Sequence, residues 1–305
     1  MHDDVRVEVL GESTSNPLAA KHAEWSKTLF GDDPNSIGNQ IDNLVSELAC
    51  FMMLNYAGGI AFYGKSRNRL RIHSLVINTI RYCLRDSLML RIRQLSESKP
   101  TNPKKEVHSL RALLNDMKAN AALLTRSNIL SVEAIPYNPP TWDESPQYHC
   151  FSTQRHEAID RLTGANSECR QPVDRIQAPW FERRDKWLDR RSIRVKNFVD
   201  KYIAHAATPA SRAEIRPDEM RVTHALVWNA TATICTIANE LRVDVLGDNE
   251  LVPIPPLQPI DFAHECDDLA DLEPDLIEDF WGRLVKKVER WYGRRPSKHN
   301  ILLGT

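Results

Sequence analysis

The chain has 305 residues, of which 42% are apolar, 27% charged and 7% aromatic. This composition excludes collagen-like, disordered and disulfide-scaffold proteins, and it fits one large helical domain or two ordinary ones. Lysine plus arginine (40) and aspartate plus glutamate (41) nearly cancel, so the total charge by itself indicates neither a nucleic-acid nor a membrane partner.

The sequence lacks the motifs of nucleotide-binding α/β folds. Glycine is scarce, with 11 residues, and neither GxGxxG nor GxxxxGK[ST] occurs. The first residues do not combine a basic flank with an apolar core, and no apolar window reaches the roughly 18 residues that a membrane span needs. We therefore expect a cytoplasmic protein with no membrane contact. The six cysteines show no CxxC spacing and are expected to be free thiols.

Helical periodicity dominates the amino-terminal half of the chain. The polar residues 1–35 predict a mobile N-terminal arm that contains one short amphipathic piece, at about residues 18–30. Apolar residues then recur at helical spacing, which predicts three helices with short connections, over residues 36–63, 67–95 and 107–125.

Prolines are concentrated over residues 131–179, where helical periodicity weakens and only a short helix over 151–162 is predicted. This stretch is interpreted as a proline-rich insertion or linker. Three further helices are predicted beyond it, over residues 179–205, 217–241 and 274–292. The fold class is therefore all-α: a helical bundle over 36–242, followed by an acidic segment and a C-terminal helix over 243–305.

Charge is strongly partitioned along the chain although its sum is near zero. Residues 183–201 carry eight bases and three acids, 244–279 carry twelve acids and no lysine or arginine, and 283–298 carry seven bases and one acid. The acidic segment either covers a basic helix within the monomer or partly shields a site for a polyanion.

The strongest chemical candidate is His205, at the end of the helix predicted over 179–205. At about 100° per residue, Arg194 and Lys201 project within about 20° and 40° of His205. Neighbouring cations keep an imidazole neutral and able to accept a proton from a hydroxyl, and they also bind a phosphodiester. The structural alternative is a histidine that hydrogen-bonds the last carbonyls of its own helix.

Two stretches of the sequence carry a family resemblance. The run DKYIAH at residues 200–205, followed by a loop and a long helix, resembles the R-[ND]-K-x-x-A-H signature of HEPN domains, particularly those of bacterial abortive-infection proteins. Residues 84–95 and 108–114 resemble the first helix pair of the same group. The likeness covers residues 37–125 and 180–242.

The resemblance implies a HEPN-like helical bundle that forms a homodimer, with two motifs across a shared cleft that cleaves RNA without a metal or other cofactor. Such proteins act in phage defence or as toxins, so RNA and a protein partner or antitoxin are the implied partners. His205 would act on the ribose 2′-hydroxyl or on the leaving oxygen. Asp200 would be the polar residue beside it, and Arg194 and Lys201 would be substitute phosphate contacts.

The chain departs from this signature at Val199, which stands where the family has its arginine. Either a displaced cation binds the phosphate, or the chain is a catalytically inactive HEPN scaffold that binds a protein or nucleic acid. A purely structural interaction protein is a third alternative. A second R-x5-H match, Arg67 to His73, is a secondary candidate, although His73 falls on an apolar stripe that favours a core position.

The remaining candidates are a histidine–cysteine metal site and a surface of tryptophans. His149, Cys150, His156 and Cys169 lack the close spacing of a zinc site, so no metal is predicted. The tryptophans are spaced for packing between helices or subunits rather than for stacking on bases.

Overall fold

The computed structural model describes residues 16–63, 74–98, 108–138, 146–203, 208, 222–248 and 274–293. Over these residues the chain is all-α, as predicted, and the β pairing found among them is one isolated bridge, between Thr125 and Arg175.

The helices begin and end close to the predicted boundaries for the strongly periodic stretches. They are α1 (Pro17–Phe30), α2 (Ile37–Tyr63), α3 (Ser74–Leu95), α4 (Leu110–Ala119), α5 (Arg126–Val132), α6 (Pro146–Thr163), α7 (Ala178–Phe198), α8 (His224–Asn239) and α9 (Pro274–Gly293). A short 3₁₀ helix, Ala121–Leu123, follows α4. Two helices continue directly into π-helical turns: α7 into Val199–Ile203, and α8 into Glu240–Val245.

Four long helices form the centre of the fold. Helix α2 packs along α3, α7 packs along α8, and α3 contacts both α7 and α8. Helix α4 covers α7, and α9 lies against α8 and α2. The apolar stripes of these helices meet in one core that includes Leu44, Leu88, Val195 and Ile234, all fully buried.

Side-chain caps fix where several helices begin. Asn16, Ser109, Thr125 and Thr223 precede α1, α4, α5 and α8, and each side-chain oxygen accepts a backbone N–H from the first turn. Proline stands in the first turn of both α1 and α7, where its missing N–H costs no helical hydrogen bond.

Helix α1 corrects the expectation of a mobile arm over residues 1–35. Leu18, Trp25 and Leu29 are buried in the main core, and the Trp25 indole donates a hydrogen bond to Asp116 on α4 at 2.6 Å. The amphipathic piece is therefore a packed element, because its apolar stripe finds a surface on α2 and α5. Residues 1–15 lie outside the described part of the chain.

The proline-rich segment also differs from a linker. Ile159 on α6 and Ile176 in the following loop are fully buried in the same core as the four long helices. The Ile176 amide donates to the Leu124 carbonyl at 3.0 Å, and the Arg126 amide donates to the Asp174 carbonyl at 2.6 Å. The segment thus folds onto the bundle, and the linker interpretation of residues 131–179 is wrong for its described part.

Candidate active site at the carboxyl end of helix α7

The structure describes three of the six residues that the sequence nominates for a site. Arg194, Asp200 and Lys201 lie at the carboxyl end of α7 or in the π-helical turn that continues it. His205, Arg67 and His73 lie outside the described residues.

The π-helical turn changes the geometry assumed for this end of the helix. The predicted projection of Arg194 and Lys201 onto the side of His205 assumes an α-helical rotation for every residue. From Val199 onward the hydrogen bonds span five residues, so each residue turns the chain through a smaller angle. The α-helical angles therefore do not apply beyond Phe198. Single π turns inside α-helices are frequent at functional sites.

Val199 belongs to the hydrophobic core. Its side chain is fully buried and packs with the main apolar cluster. The position where the HEPN signature has an arginine therefore faces the interior of this protein. A guanidinium at this position would lose its contact with water.

An arginine from another helix lies beside the same turn. The Arg93 Nε, in the last turn of α3, donates to the Asp200 carboxylate at 2.5 Å, and its Nη1 lies 3.2 Å from the Glu97 carboxylate. The Arg93 side chain is 27% exposed and that of Asp200 41%, so this pair is open to solvent. Sequence reasoning missed Arg93 as a site residue because 107 positions separate it from Asp200.

Further charged groups extend the site along one face of α7. Arg111, on α4, is 8% exposed and pairs with Asp185 at 2.8 Å and with Asp189 at 2.7 Å. Half-buried Lys196 lies on the same face of α7 as these two aspartates. It is seven positions after Asp189, which is itself four positions after Asp185, and residues at these spacings recur on one side of a helix. We call this set the α7 charge cluster: Arg93, Glu97, Arg111, Asp185, Asp189, Lys196 and Asp200.

Lys196 lies half-buried among the other charges of this cluster. Burial lowers the pKa of Lys196, and the nearby Arg111 guanidinium lowers it further. Asp189, Asp200 and Glu97 act in the opposite direction. The lysine is thus held close to both a cation and several carboxylates, in an environment where the ammonium form is less favoured than in water.

The exposed residues of this helix end add to the accessible surface. Arg194 is exposed, and Tyr202 is 43% exposed and stacks on Phe198 with ring centroids 5.0 Å apart. Lys201 is half-buried. Arginine, lysine and tyrosine are the side chains that bind phosphates and stack on bases in nucleic-acid sites.

A second set of arginines is buried and lies away from this end of α7. Arg126 is fully buried and pairs with Asp160 at 2.5 Å and with Asp174 at 3.3 Å, and its Nη1 lies 3.3 Å from His156 Nδ1. Arg155 pairs with Glu133 at 2.5 Å, and Arg184 pairs with Glu240 at 2.9 Å. We call this set the buried arginine network: Arg126, Arg155, Arg184, Glu133, His156, Asp160, Asp174 and Glu240.

The buried network accounts for one of the histidines considered as a metal ligand. His156 is 1% exposed, and its ring meets Tyr137 edge-on with centroids 6.1 Å apart. Burial lowers the pKa of His156, and Arg170 and Arg126 lower it further. Within the described residues, no group of three or more histidine, cysteine or acidic side chains is arranged to hold a metal ion.

The predicted role of the tryptophans agrees with their positions where these are described. Trp180, Trp281 and Trp291 are buried, and Trp187 and Trp228 pack against the core. Trp142 lies outside the described residues.

Comparisons of the chain with models of known protein families, with curated proteins and with solved structures find no match. The HEPN resemblance therefore rests on the residues of this chain alone. Among the described helices, none has the length and apolar character needed to cross a lipid bilayer.

Proposed function

We propose that this protein is a metal-independent endoribonuclease of the HEPN type, acting in phage defence or as a toxin, and that it works as a homodimer in the cytoplasm. The observation that carries the proposal is the Arg93–Asp200 pair. It supplies a solvent-accessible guanidinium next to the turn that leads directly into the Ala204-His205 end of the signature.

In this proposal Arg93 performs the role of the signature arginine, whose position is occupied here by Val199. A guanidinium presents five N–H donors in a planar fork, the geometry that suits the non-bridging oxygens of a phosphodiester. Asp200 and Glu97 hold Arg93 through its Nε and Nη1 and so fix its orientation at the surface. A positioned arginine stabilises the charge that builds on the phosphate oxygens in the transition state.

His205 carries the proton transfer in this proposal. Its neutral imidazole removes the proton of the ribose 2′-hydroxyl, and the 2′-oxygen attacks the adjacent phosphorus. The bond from phosphorus to the 5′-oxygen breaks, which leaves a 2′,3′-cyclic phosphate; the leaving 5′-oxygen takes up a proton from water, and His205 later releases its proton to solvent. The requirement for a 2′-hydroxyl restricts the reaction to RNA.

The first test is cleavage of total RNA by the purified full chain in EDTA, with wild type and His205→Ala compared. The variant should cleave at least about 100-fold more slowly, since a general acid–base residue contributes that much or more. Equal cleavage by both proteins, or none by either, would contradict the nuclease proposal.

The second test separates Arg93 from its neighbours on α3. Arg93→Gln should slow cleavage by about 10-fold to 100-fold, whereas Arg91→Gln should leave the rate unchanged. Arg91 is a matched control because it lies on the same helix, is 31% exposed and pairs with Glu47 at 2.7 Å, away from Asp200. An equal loss in both variants would show that general positive charge, rather than the position of Arg93, matters.

A second candidate function is a HEPN-like module that binds RNA or a protein without cleavage. The full burial of Val199 favours it, because no cation can act from that position. If this candidate is correct, the wild-type protein should reduce the gel mobility of an RNA probe in EDTA, and the probe should remain uncleaved. Binding that is unchanged in His205→Ala would then favour the module over the enzyme.

A further inference from the structure

A cavity of about 250 Å³ lies on another side of the fold, where α1, α2, α8 and α9 meet. Its wall combines the end of α1 and the first turns of α2 with the π-helical turn after α8 and the last turn of α9. The polar lining residues are Asn39, Asp42, Asn239, Arg242, Asp248 and Tyr292. None of these residues belongs to the α7 charge cluster, so the cavity is independent of the proposed nuclease site.

Two lining side chains hold buried donors without an oxygen or nitrogen partner. The Nε and Nη2 atoms of Arg242 are buried and make no hydrogen bond; the buried Tyr292 hydroxyl lies beside the Cys235 thiol, a weak acceptor, and has no oxygen or nitrogen partner. A buried donor without an acceptor costs about 1–3 kcal/mol, and more when the group is charged. Such donors in a cavity wall need an acceptor, which a water molecule, an ion or a ligand can supply.

The unpartnered atoms of Arg242 have a specific geometry. Nε and Nη2 form one edge of the guanidinium, the edge that receives both oxygens of a carboxylate in parallel hydrogen bonds. The Asp248 carboxylate forms an ion pair with Arg242 but lies 3.8 Å from Nε, which is beyond hydrogen-bond distance. Arg242 also stands in the π-helical turn Glu240–Val245, the second such turn of the fold.

The opposite charge is also present in the same cavity. Asp42 lines it from α2, and burial raises the pKa of this carboxyl, against the opposing effect of Arg242. A desolvated carboxylate is stabilised by a cation or by N–H donors. The cavity therefore offers donors for one oxyanion and an acceptor for an ammonium group.

We propose that this cavity binds a small amino-acid-like zwitterion, whose carboxylate is held by Arg242 and Tyr292 and whose ammonium group faces Asp42. The volume fits a small metabolite, since pockets for larger ligands measure about 300–1,000 Å³.

The test begins with thermal unfolding of the full chain in the presence of the standard L-amino acids, added one at a time. Inorganic phosphate and methylamine are the separate arms for a bare oxyanion and a bare cation. At least one amino acid should raise the Tm by several degrees, because a ligand that binds only the folded state stabilises it. A rise with phosphate and with no amino acid would overturn the proposal, as would no rise with any probe.

Calorimetric titration of the amino acid with the largest effect then assigns the contacts. Arg242→Gln should weaken binding at least tenfold and Tyr292→Phe about fivefold. The matched controls are Arg161→Gln and Tyr82→Phe, because both side chains are exposed and lie outside the cavity. Equal weakening in the controls would overturn the assignment.

Asp42→Asn tests the ammonium contact. Wild type should bind the amino acid more tightly than the same acid without its amine. In Asp42→Asn the ratio of these two affinities should fall at least about tenfold. Without ligand, Arg242→Gln should unfold within about 3 °C of the wild-type Tm, because the ion pair that this edge makes with Asp248 spans 3.8 Å and is not a hydrogen bond. A larger fall in the Tm of the ligand-free Arg242→Gln protein would show a structural role for that edge and overturn the proposal.

Discussion

The buried arginine network and the α7 charge cluster are both built around arginine–carboxylate pairs, but the two sets differ in their exposure to water. In the network, Arg126 is fully buried and Asp160 is 12% exposed, whereas in the cluster Arg93 is 27% and Asp200 41% exposed. Both contain short arginine–carboxylate contacts. The difference is access to water, which decides whether the guanidinium of a pair is sealed in the core or can also be reached by a phosphate.

Helix α7 contributes to both regions. Near its amino end, Arg184 packs over the Trp180 ring and pairs with Glu240, and burial lowers the pKa of Arg184 and raises that of Glu240. At its carboxyl end, Asp200 reaches Arg93 at the surface. One helix thus carries a sealed pair that anchors it to the core and an accessible pair that is available for binding.

The unfolding free energy lost when a pair is broken should be larger for the buried pairs than for the exposed ones. Removing one partner of a buried pair leaves an uncompensated charge away from water, which costs about 3–5 kcal/mol. Removing one partner of an exposed pair costs about 0–1 kcal/mol, because water solvates the remaining charge. Four substitutions or conditions test this contrast, from the largest expected effect to the smallest.

Val199→Arg should have the largest effect. It introduces the arginine that the HEPN signature has, but at a fully buried position, so it combines overpacking with the desolvation of a charge. We expect the free energy of unfolding, measured by urea denaturation, to fall by more than about 4 kcal/mol. Val199→Leu is the apolar control and should lose only about 1–3 kcal/mol. A stable Val199→Arg protein with faster RNA cleavage would contradict the core position of Val199.

Arg126→Met should come next. The substitution leaves the Asp160 and Asp174 carboxylates without their central cation, and we expect a loss of about 3–5 kcal/mol of unfolding free energy. Arg161→Met serves as the control, because Arg161 is 38% exposed and its pair with Asp244 spans 3.6 Å. Similar losses in the two variants would remove the distinction between buried and exposed arginines.

Acid should weaken the buried network through His156. Burial, Arg170 and Arg126 lower the pKa of His156, with the Pro136 carbonyl and Asp160 opposing them. The unfolded chain therefore takes up a proton near pH 6.5 that the folded chain does not. Stability should be complete above about pH 6.5 and fall below it by up to about 1.4 kcal/mol per pH unit, until the folded-state pKa is reached.

The measurement for His156 is the slope of unfolding free energy between pH 7 and pH 5.5, compared between wild type and His156→Gln. The slope is compared rather than the absolute stability, because the substitution itself disturbs the buried network. His224, whose pKa burial also lowers, remains in both proteins and contributes equally. An unchanged slope would show that His156 does not govern the response to acid.

The sequence predicts the strongly periodic helices well. The predicted boundaries of 36–63 and 274–292 fall within one residue of α2 and α9, because long apolar stripes at helical spacing leave little choice of structure. The apolar stripe of α1 likewise predicts a helix, but it does not predict that this helix is buried. Burial depends on whether another element offers a matching surface, and this information is not local.

The candidate site is harder to predict from the sequence than the helices, because it too depends on contacts between distant residues. Arg93 and Asp200 are 107 residues apart, and nothing in the α3 sequence distinguishes Arg93 from the other arginines of that helix. The π-helical turn at Val199–Ile203 replaces an α-helical continuation that the local pattern predicts equally well. Local periodicity fixes the elements, whereas the contacts between distant side chains depend on how the elements pack.

The smallest effect on stability is expected for Arg93→Gln. Both carboxylates that it contacts stay hydrated, so the free energy of unfolding should fall by less than about 1 kcal/mol, as for Arg91→Gln. Urea denaturation of the two variants side by side measures this. If Arg93→Gln proves as costly as Arg126→Met, the Arg93 pair is a structural element and its guanidinium is not available to a phosphate. A small loss combined with slower RNA cleavage would separate binding from folding at this position, since the same guanidinium would then matter to the substrate and hardly at all to the fold.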